Sequence, residues 1–375
     1  MKYVVTSTLL YGRLQMLDRV VNPKNTAPIL QCFLFKAHGD NLMITATDND
    51  TTINTTVPLT QGDSDTSFAI PAKQIMDILK EIPEQPLTIE FNPNTYQINL
   101  RYQNGHFLLQ GENGDDFPQQ KDPEGESHEI TLSAPLLSKA FASAIVAASD
   151  DENRKVMNSI FVDITPQDLS VVASDGHKLV CYKILCDTHD TTASFILPRK
   201  PSALLRSIID KEEGNITLCT WSSGAAKINT DSFSMSCLLL MEKYPNYKNV
   251  IPQNNTNIAT IDKETLQSAV KRVLVASDKA TSLVKLNCEV GKITLSTENL
   301  SFAQSAEEQV VCQYDGMPLR IGFRGDYLLD LLSNVTSTNV LIKLSDPSRA
   351  GLILPAEQDK DTDLTMLLMP LLITA

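Results

Sequence analysis

The sequence predicts an α+β protein made of three repeated domains, each an antiparallel sheet carrying two helices. Three recurrences predict it. LLYGRLQMLDRVVN from Leu9, LSKAFASAIVAASD from Leu137 and TLQSAVKRVLVASD from Thr265 end on Asn22, Asp150 and Asp278, 128 residues apart each time. FAIPAKQIMDILKEIP from Phe68, FILPRKPSALLRSIID from Phe195 and LRIGFRGDYLLDLLSN from Leu319 follow at offsets of 127 and 124. LMITATDNDTTI from Leu42, LSVVASDGHKLV from Leu169 and KITLSTENLSFA from Lys292 follow at 127 and 123, which aligns Asp48, Asp175 and Glu298. A period this long exceeds any solenoid unit, so each copy buries a core of its own.

The first block of each copy reads as an amphipathic helix. In the third copy Leu266, Ala269, Val270, Val273 and Leu274 make one apolar face at helical spacing, with Lys271 and Arg272 off it. Leu10, Leu14, Leu17 and Val21 make the stripe in the first copy, leaving Arg13 and Arg19 elsewhere. Leu137, Phe141, Ala144 and Ile145 make it in the second, leaving Lys139. The polar faces are therefore basic. The second block gives the second helix. Between them, LMITATDN, YQINLRYQNG and GNITLCTWSSG alternate apolar and polar residues between Asn, Asp and Gly, as half-buried antiparallel strands do. Domains are expected at 1–126, 127–253 and 254–375, with KDPEGESHE before Ile130 and IPQNNTN before Ile258 as linkers.

Composition narrows the function. With 32 Lys+Arg against 45 Asp+Glu the net charge is −13, which argues against a protein that coats nucleic acid but leaves room for one basic face. Cys32, Cys181, Cys186, Cys219, Cys237, Cys288 and Cys312 form no CxxC pair and sit in apolar runs, the pattern of reduced core thiols in a cytosolic protein. No apolar run reaches the length of a membrane span, and MKYVVTSTLL lacks the shape of a signal peptide.

The common signatures of nucleotide, metal and nucleophile chemistry are missing: GxxxxGK[ST], strand-linked GxGxxG, HExxH and GxSxG. Ser174-Asp175-Gly176-His177-Lys178 looks like a triad fragment, but neighbours on a strand point apart, so it reads as an Asp-Gly turn joining two strands. His38, His106, His128 and His189 read as surface residues, and Asp115-Asp116 and Asp150-Asp151-Glu152 as solvated charge without the spacing of a cation loop. Trp221 and an aromatic content of 6% offer no stacking platform for single strands. No catalytic residue, metal or cofactor is expected. Two other classes stay open at this point: an enzyme, which needs a converging polar site, and a repeat-built peptide-binding scaffold that does not encircle DNA.

The threefold repeat comes with TAPIL at 26–30, FAIPAK at 68–73, DDFPQ at 115–119, SDGHKL at 174–179, ILPRK at 196–200, KYPNYKNVIP at 243–252 and LLMPL at 367–371. In order and spacing this set resembles the bacterial sliding clamps, the β subunits of DNA polymerase III. The resemblance covers the whole chain. It implies the DNA clamp fold and a head-to-tail homodimer, a six-domain ring that encircles double-stranded DNA with helices inside and sheets outside. It also implies a non-catalytic processivity factor working with a clamp loader, the replicative polymerase and other proteins that carry a clamp-binding peptide, in the cytoplasm at the nucleoid.

The resemblance assigns residues as well. Lys24, Lys73, Arg154, Lys155, Arg199 and Lys200 are the DNA-facing candidates from matching motifs, and Arg13, Lys139, Lys271 and Arg272 join them from the helix pattern. The partner-peptide pocket is implied at Met157, Ser174, Gly176, His177, Lys178 and Leu179, at Pro245, Tyr247, Asn249 and Val250, and at Leu367, Leu368, Met369, Pro370 and Leu371. The dimer contact is implied between Phe107 and Leu109 on the first domain and Leu274 and Val275 on the third. Asn249, Arg324 and Leu372 depart from the residues common in the family, and Thr374-Ala375 extend past its usual end.

Overall fold

The computed structural model describes residues 1–62, 64–120, 122–188 and 191–373. His189, the Lys121 that opens the first linker, and Thr374-Ala375 lie outside the described residues. The fold is sheet-rich α+β, with six α-helices: α1 Ser7–Leu17, α2 Ala72–Glu81, α3 Ala134–Ile145, α4 Arg199–Ile209, α5 Lys263–Leu274 and α6 Gly325–Ser333. Each follows directly on a strand. Pro71 ends the strand before α2 and Pro198 the strand before α4, where a residue without an N–H costs the helix nothing. At α5 the Asp262 carboxylate accepts from Thr265 N at 2.8 Å, a side-chain N-cap.

The apolar stripes are buried: Leu10, Leu14 and Leu17 in α1, and Leu266, Ala269, Val270 and Val273 in α5, are each 1% exposed or less. The first stripe ends differently from expectation. α1 stops at Leu17, so Val20, in the turn that follows, takes the buried place given to Val21.

Two expected registers shift in the third copy. Strand gives way to helix after Pro71, Pro198 and Arg324, so Ile321, not Leu319, corresponds to Phe68 and Phe195. The hairpin ladders Leu42↔Val57, Leu169↔Ile184 and Ile293↔Val310 likewise put Asn299, not Glu298, in line with Asp48 and Asp175. Side chains alternate across a strand, so a one-residue slip exchanges a buried position for a solvated one. Asn299 is indeed buried at 6%.

The chain forms two compact units. The first, Met1–Ser138 with Ala203–Leu239, holds a five-stranded sheet and a nine-stranded one, both antiparallel. Its nine-stranded sheet is continuous because Thr51–Pro58 of the first repeat pairs with Phe233–Leu238 of the second. Stacked rings fill its core, Phe35 on Phe68 at 5.4 Å and Phe68 on Phe91 at 4.7 Å. The second unit, Lys139–Ser202 with Leu240–Ala375, holds a nine-stranded and a four-stranded sheet. There Lys178–Leu185 of the second repeat pairs with Thr362–Leu368 of the third. The middle repeat thus gives one sheet to each unit, and compactness follows the shared sheets.

All seven cysteines are free, and all but Cys186 are buried. Burial pushes the thiols up, to about 11 at Cys32 and Cys219 and about 12 at Cys181, Cys237 and Cys288.

Candidate functional site

The junction inside the second unit builds an apolar site. Leu179 faces Leu367 across the ladder, and Val172, Cys181, Ile196 and Leu352 pack with them. The segment KYPNYKN crosses this face and drives two rings into it. Tyr244 stacks on Phe161 at 4.7 Å with planes 6° apart, and Tyr247 meets the same ring edge-on at 6.0 Å. The Tyr247 hydroxyl donates to Asp163 Oδ2 at 2.9 Å, and Lys248 Nζ lies 2.9 Å from the same oxygen. Burial, with the Cys181 and Asp163 charges, pushes the Tyr247 phenol up, while its bond to Asp163 pushes the Lys248 amine up. Phenol and ammonium thus both keep their protons around the carboxylate.

The expected pocket residues sort by exposure. Leu179, Tyr247 and Leu367 form a closed floor, each under 9% exposed, while Leu368, 1% exposed, lies on the other face of its strand. Met157, Ser174, Pro370 and Leu371 are half-buried. Gly176, His177, Pro245, Asn249, Val250 and Met369 are exposed, Val250 by 56% and Met369 by 42%. Exposed apolar side chains around a buried aromatic floor are what an anchoring peptide needs. Leu364, Met366 and Leu368 alternate with Thr365 and Leu367 along the last strand, which therefore presents Leu367 to the apolar cluster and the others to the opposite face.

The Asp175–His177 segment is the turn expected from Asp-Gly. Gly176 has φ +94°, which a side chain disfavours, and Asp175 Oδ1 accepts from the backbone N–H groups of His177 and Lys178 at 2.7 and 2.8 Å. Lys178 itself leaves the apolar face. It is 6% exposed, its Nζ reaches Asp330 Oδ2 at 2.6 Å, and it sits 4.4 Å from the centre of the Tyr327 ring. Its neighbours there, Arg154, Asp175, His177 and Arg199, line a cavity of about 520 Å³. Arg324 caps the other side of that cluster, 4.8 Å from the Tyr327 centre and 2.9 Å from Asp326. Tyr327 and Asp330 were not anticipated from sequence.

The candidate cations divide as well. Lys139 pairs with Asp359, Arg199 with Asp150 and Arg272 with Glu308. Arg13 is half-buried, its guanidinium carbon 5.1 Å from the Phe233 ring centre, and Arg154 donates to the Asp175 carbonyl at 3.0 Å. Lys200 is exposed. Lys24, Lys73, Lys155 and Lys271 are exposed and make no ion pair among the described residues. No group of His, Cys, Asp and Glu among the described residues is placed to hold a metal, and no helix among them is long and apolar enough to cross a membrane.

At the sheet edges, Gly105–Gln110 ends the five-stranded sheet and Gln304–Val311 the four-stranded one. Phe107 and Leu108 on the first are 38% and 63% exposed and Leu109 is half-buried. Leu274 is half-buried at the end of α5, and Val275 beyond it is 84% exposed. Unpaired edges with apolar side chains call for a partner.

Comparison with known proteins gives the same answer along the whole chain. Residues 1–121, 131–246 and 248–371 match, in order, the N-terminal, central and C-terminal domains of the DNA polymerase III beta subunit. The beta sliding clamp of Caulobacter vibrioides is 28% identical, over 99% of this chain and 100% of that protein. A DnaN sliding clamp structure from Bartonella birtlesii superposes with a TM-score of 0.92 at 26% identity, covering 100% of both chains. One from Pseudomonas aeruginosa, at 23% identity, has the same fold with a TM-score of 0.94, again over 100% of both chains. Matched domain by domain by one family, the chain belongs to the DNA polymerase III beta subunits, the beta sliding clamps.

Proposed function

We propose that two copies of this chain close head to tail around duplex DNA by repeating, between chains, the junction the chain already makes twice within itself. The protein is a DNA sliding clamp, a processivity factor without catalysis of its own. Thr51, Lys178 and Gln304 are the first residues of equivalent strands in the three repeats. Thr51 pairs with Cys237 and Lys178 with Leu368. Leu109 holds the place of Cys237, penultimate in its strand, and so is set to pair with Gln304 of a second copy, with Phe107 opposite Ala306. Both are edge strands, whereas their equivalents are paired at the two junctions within the chain, and this is the single observation that carries the reading. A heterologous contact made twice closes a dimer.

The repeat units 1–126, 127–253 and 254–375 then supply six domains. Lys24, Lys73, Lys155 and Lys271 are ready to meet phosphate, whereas Lys139, Arg199 and Arg272 must first give up a carboxylate. Contacts of this kind are sequence-independent and weaken with salt, by about 0.9 in log–log slope per phosphate neutralised, which suits sliding. The groove over Leu179, Tyr247 and Leu367 receives the peptides of polymerases, the clamp loader and repair proteins, in the cytoplasm at the nucleoid.

The test is topological. Clamp loaded onto nicked circular DNA by a clamp loader and ATP is expected to stay bound, and to be lost when the circle is cut. Equal retention on circular and linear DNA means direct affinity and overturns the reading.

A further inference from the structure

We propose that the first sheet junction carries a second docking groove, of reversed polarity, for an extended acidic peptide segment of a protein partner. The proposal rests on reading the second junction as a peptide groove. A depression of about 590 Å³ lies over the pairing of Thr51–Pro58 with Phe233–Leu238, in the same place relative to the repeat. The cross-strand rows identify the correspondence. Leu179, Leu367 and Leu352 are neighbours across three strands of the second junction. Thr52, Ser236 and Lys227 are neighbours across the matching strands of the first.

The replacements along the junction run from apolar to polar, although Met43, 40% exposed in the lining, stands where Ser170 stands. Val172 and Cys181, paired in the second unit, correspond to Thr45 and Asn54, paired in the first and joined by a hydrogen bond of 2.6 Å. The wall is rebuilt too: FPQQ at 117–120 stands 127 residues before YPNY at 244–247. Phe117 is buried at 3% as Tyr244 is at 7%, and Gln120 takes the place of Tyr247. Asp163, which holds Tyr247 and Lys248, becomes Lys36.

The charge selects the occupant. Lys36 and Lys227 line the groove half-buried, and neither makes an ion pair among the described residues. Asp231 is the one carboxylate in the lining. A half-buried ammonium has lost part of its hydration without gaining a counter-charge, so a carboxylate placed there is favoured. Hydroxyl and amide groups between the lysines accept and donate, as an extended polar backbone requires. On a chain of net charge −13 such a spot discriminates strongly between partners.

The test uses the full-length protein and a fluorescein-labelled peptide of alternating Glu and Thr, read by anisotropy at low salt. Lys36→Gln/Lys227→Gln is expected to weaken binding about tenfold, and Lys36→Glu/Lys227→Glu further. Lys211→Glu/Lys360→Glu, two exposed cations outside the groove's lining, is expected to change it by less than about twofold. Equal loss in both sets means long-range charge alone and overturns the proposal, as does unchanged binding in the first set. Binding of single-stranded DNA with the peptide inert overturns it as well. A Gln/Leu/Phe-containing peptide on the same samples reports the second junction separately: if it fails on wild-type protein while the acidic peptide binds, the fault lies in the reading of that junction.

Discussion

Five residue pairs join the sheets at the first junction and seven at the second, in the same antiparallel geometry, yet Thr52 and Ser236 stand where Leu179 and Leu367 stand. The main-chain ladder is indifferent to side chains, so a repeat that preserves it leaves the outer face free to diverge. One copy of that face became an apolar floor under Tyr244 and Tyr247, and another became hydroxyl, amide and ammonium. The third, which we propose forms between copies of the chain, starts from two edge strands.

The largest effect is expected at that third junction, which has no covalent link behind it. Phe107→Asp together with Leu109→Asp places charge where apolar contact is proposed, and the dimer dissociation constant is expected to rise by at least about a hundredfold. Sedimentation equilibrium checks it, and an unchanged dimer would sink the proposed pairing. Next comes the floor of the second junction. Leu367→Ala empties a site that is 4% exposed and is expected to cost ~3 kcal/mol in urea unfolding, against less than ~1 kcal/mol for Ser236→Ala at the matching position. Similar losses at the two positions would show that the polar junction is as tightly packed as the apolar one.

Tyr247→Phe removes the 2.9 Å hydrogen bond to Asp163 and leaves Lys248 to neutralise the carboxylate. A loss of ~1 kcal/mol is expected, with the affinity for a Gln/Leu/Phe peptide nearly unchanged. The smallest effect is an acid dependence. The hydrogen bond from Lys139 holds the Asp359 carboxyl below the ordinary Asp value of 3.8. Its folded-state value being depressed, the pair contributes stability above the unfolded value and loses it as pH falls through the folded one. Both partners are more than a third exposed, so solvent screens the pair to well under ~1 kcal/mol. Asp359→Asn is expected to lower the urea midpoint slightly at neutral pH, and the difference from wild type is expected to vanish as pH falls below about 4.

Much of this was legible in the residues. The stripe Leu266, Ala269, Val270, Val273 names a helix by spacing alone. The register of Ile321 failed in the third copy because Arg324 replaces the proline that marks the strand end at Pro71 and Pro198. The site was legible as a set of segments but not as faces. Lys178 and Leu179 are adjacent, yet the strand sends one to Asp330 and the other to Leu367. Asp330 lies 152 residues from Lys178, a distance over which sequence carries no sign of contact. The ion pairs of Lys139 and Arg199 were equally hidden, since a cation on a polar helix face looks the same whether solvated or paired.

The buried thiols have a further consequence. Raised this far by burial, these thiols are almost wholly protonated at neutral pH, and the thiolate is the species that alkylating agents and peroxides attack. Reaction must therefore wait for local opening. Cys32, Cys219 and Cys237 lie in the first unit and Cys181, Cys288 and Cys312 in the second, so the time course of labelling at each sulfur is a built-in clock for the opening of its own unit.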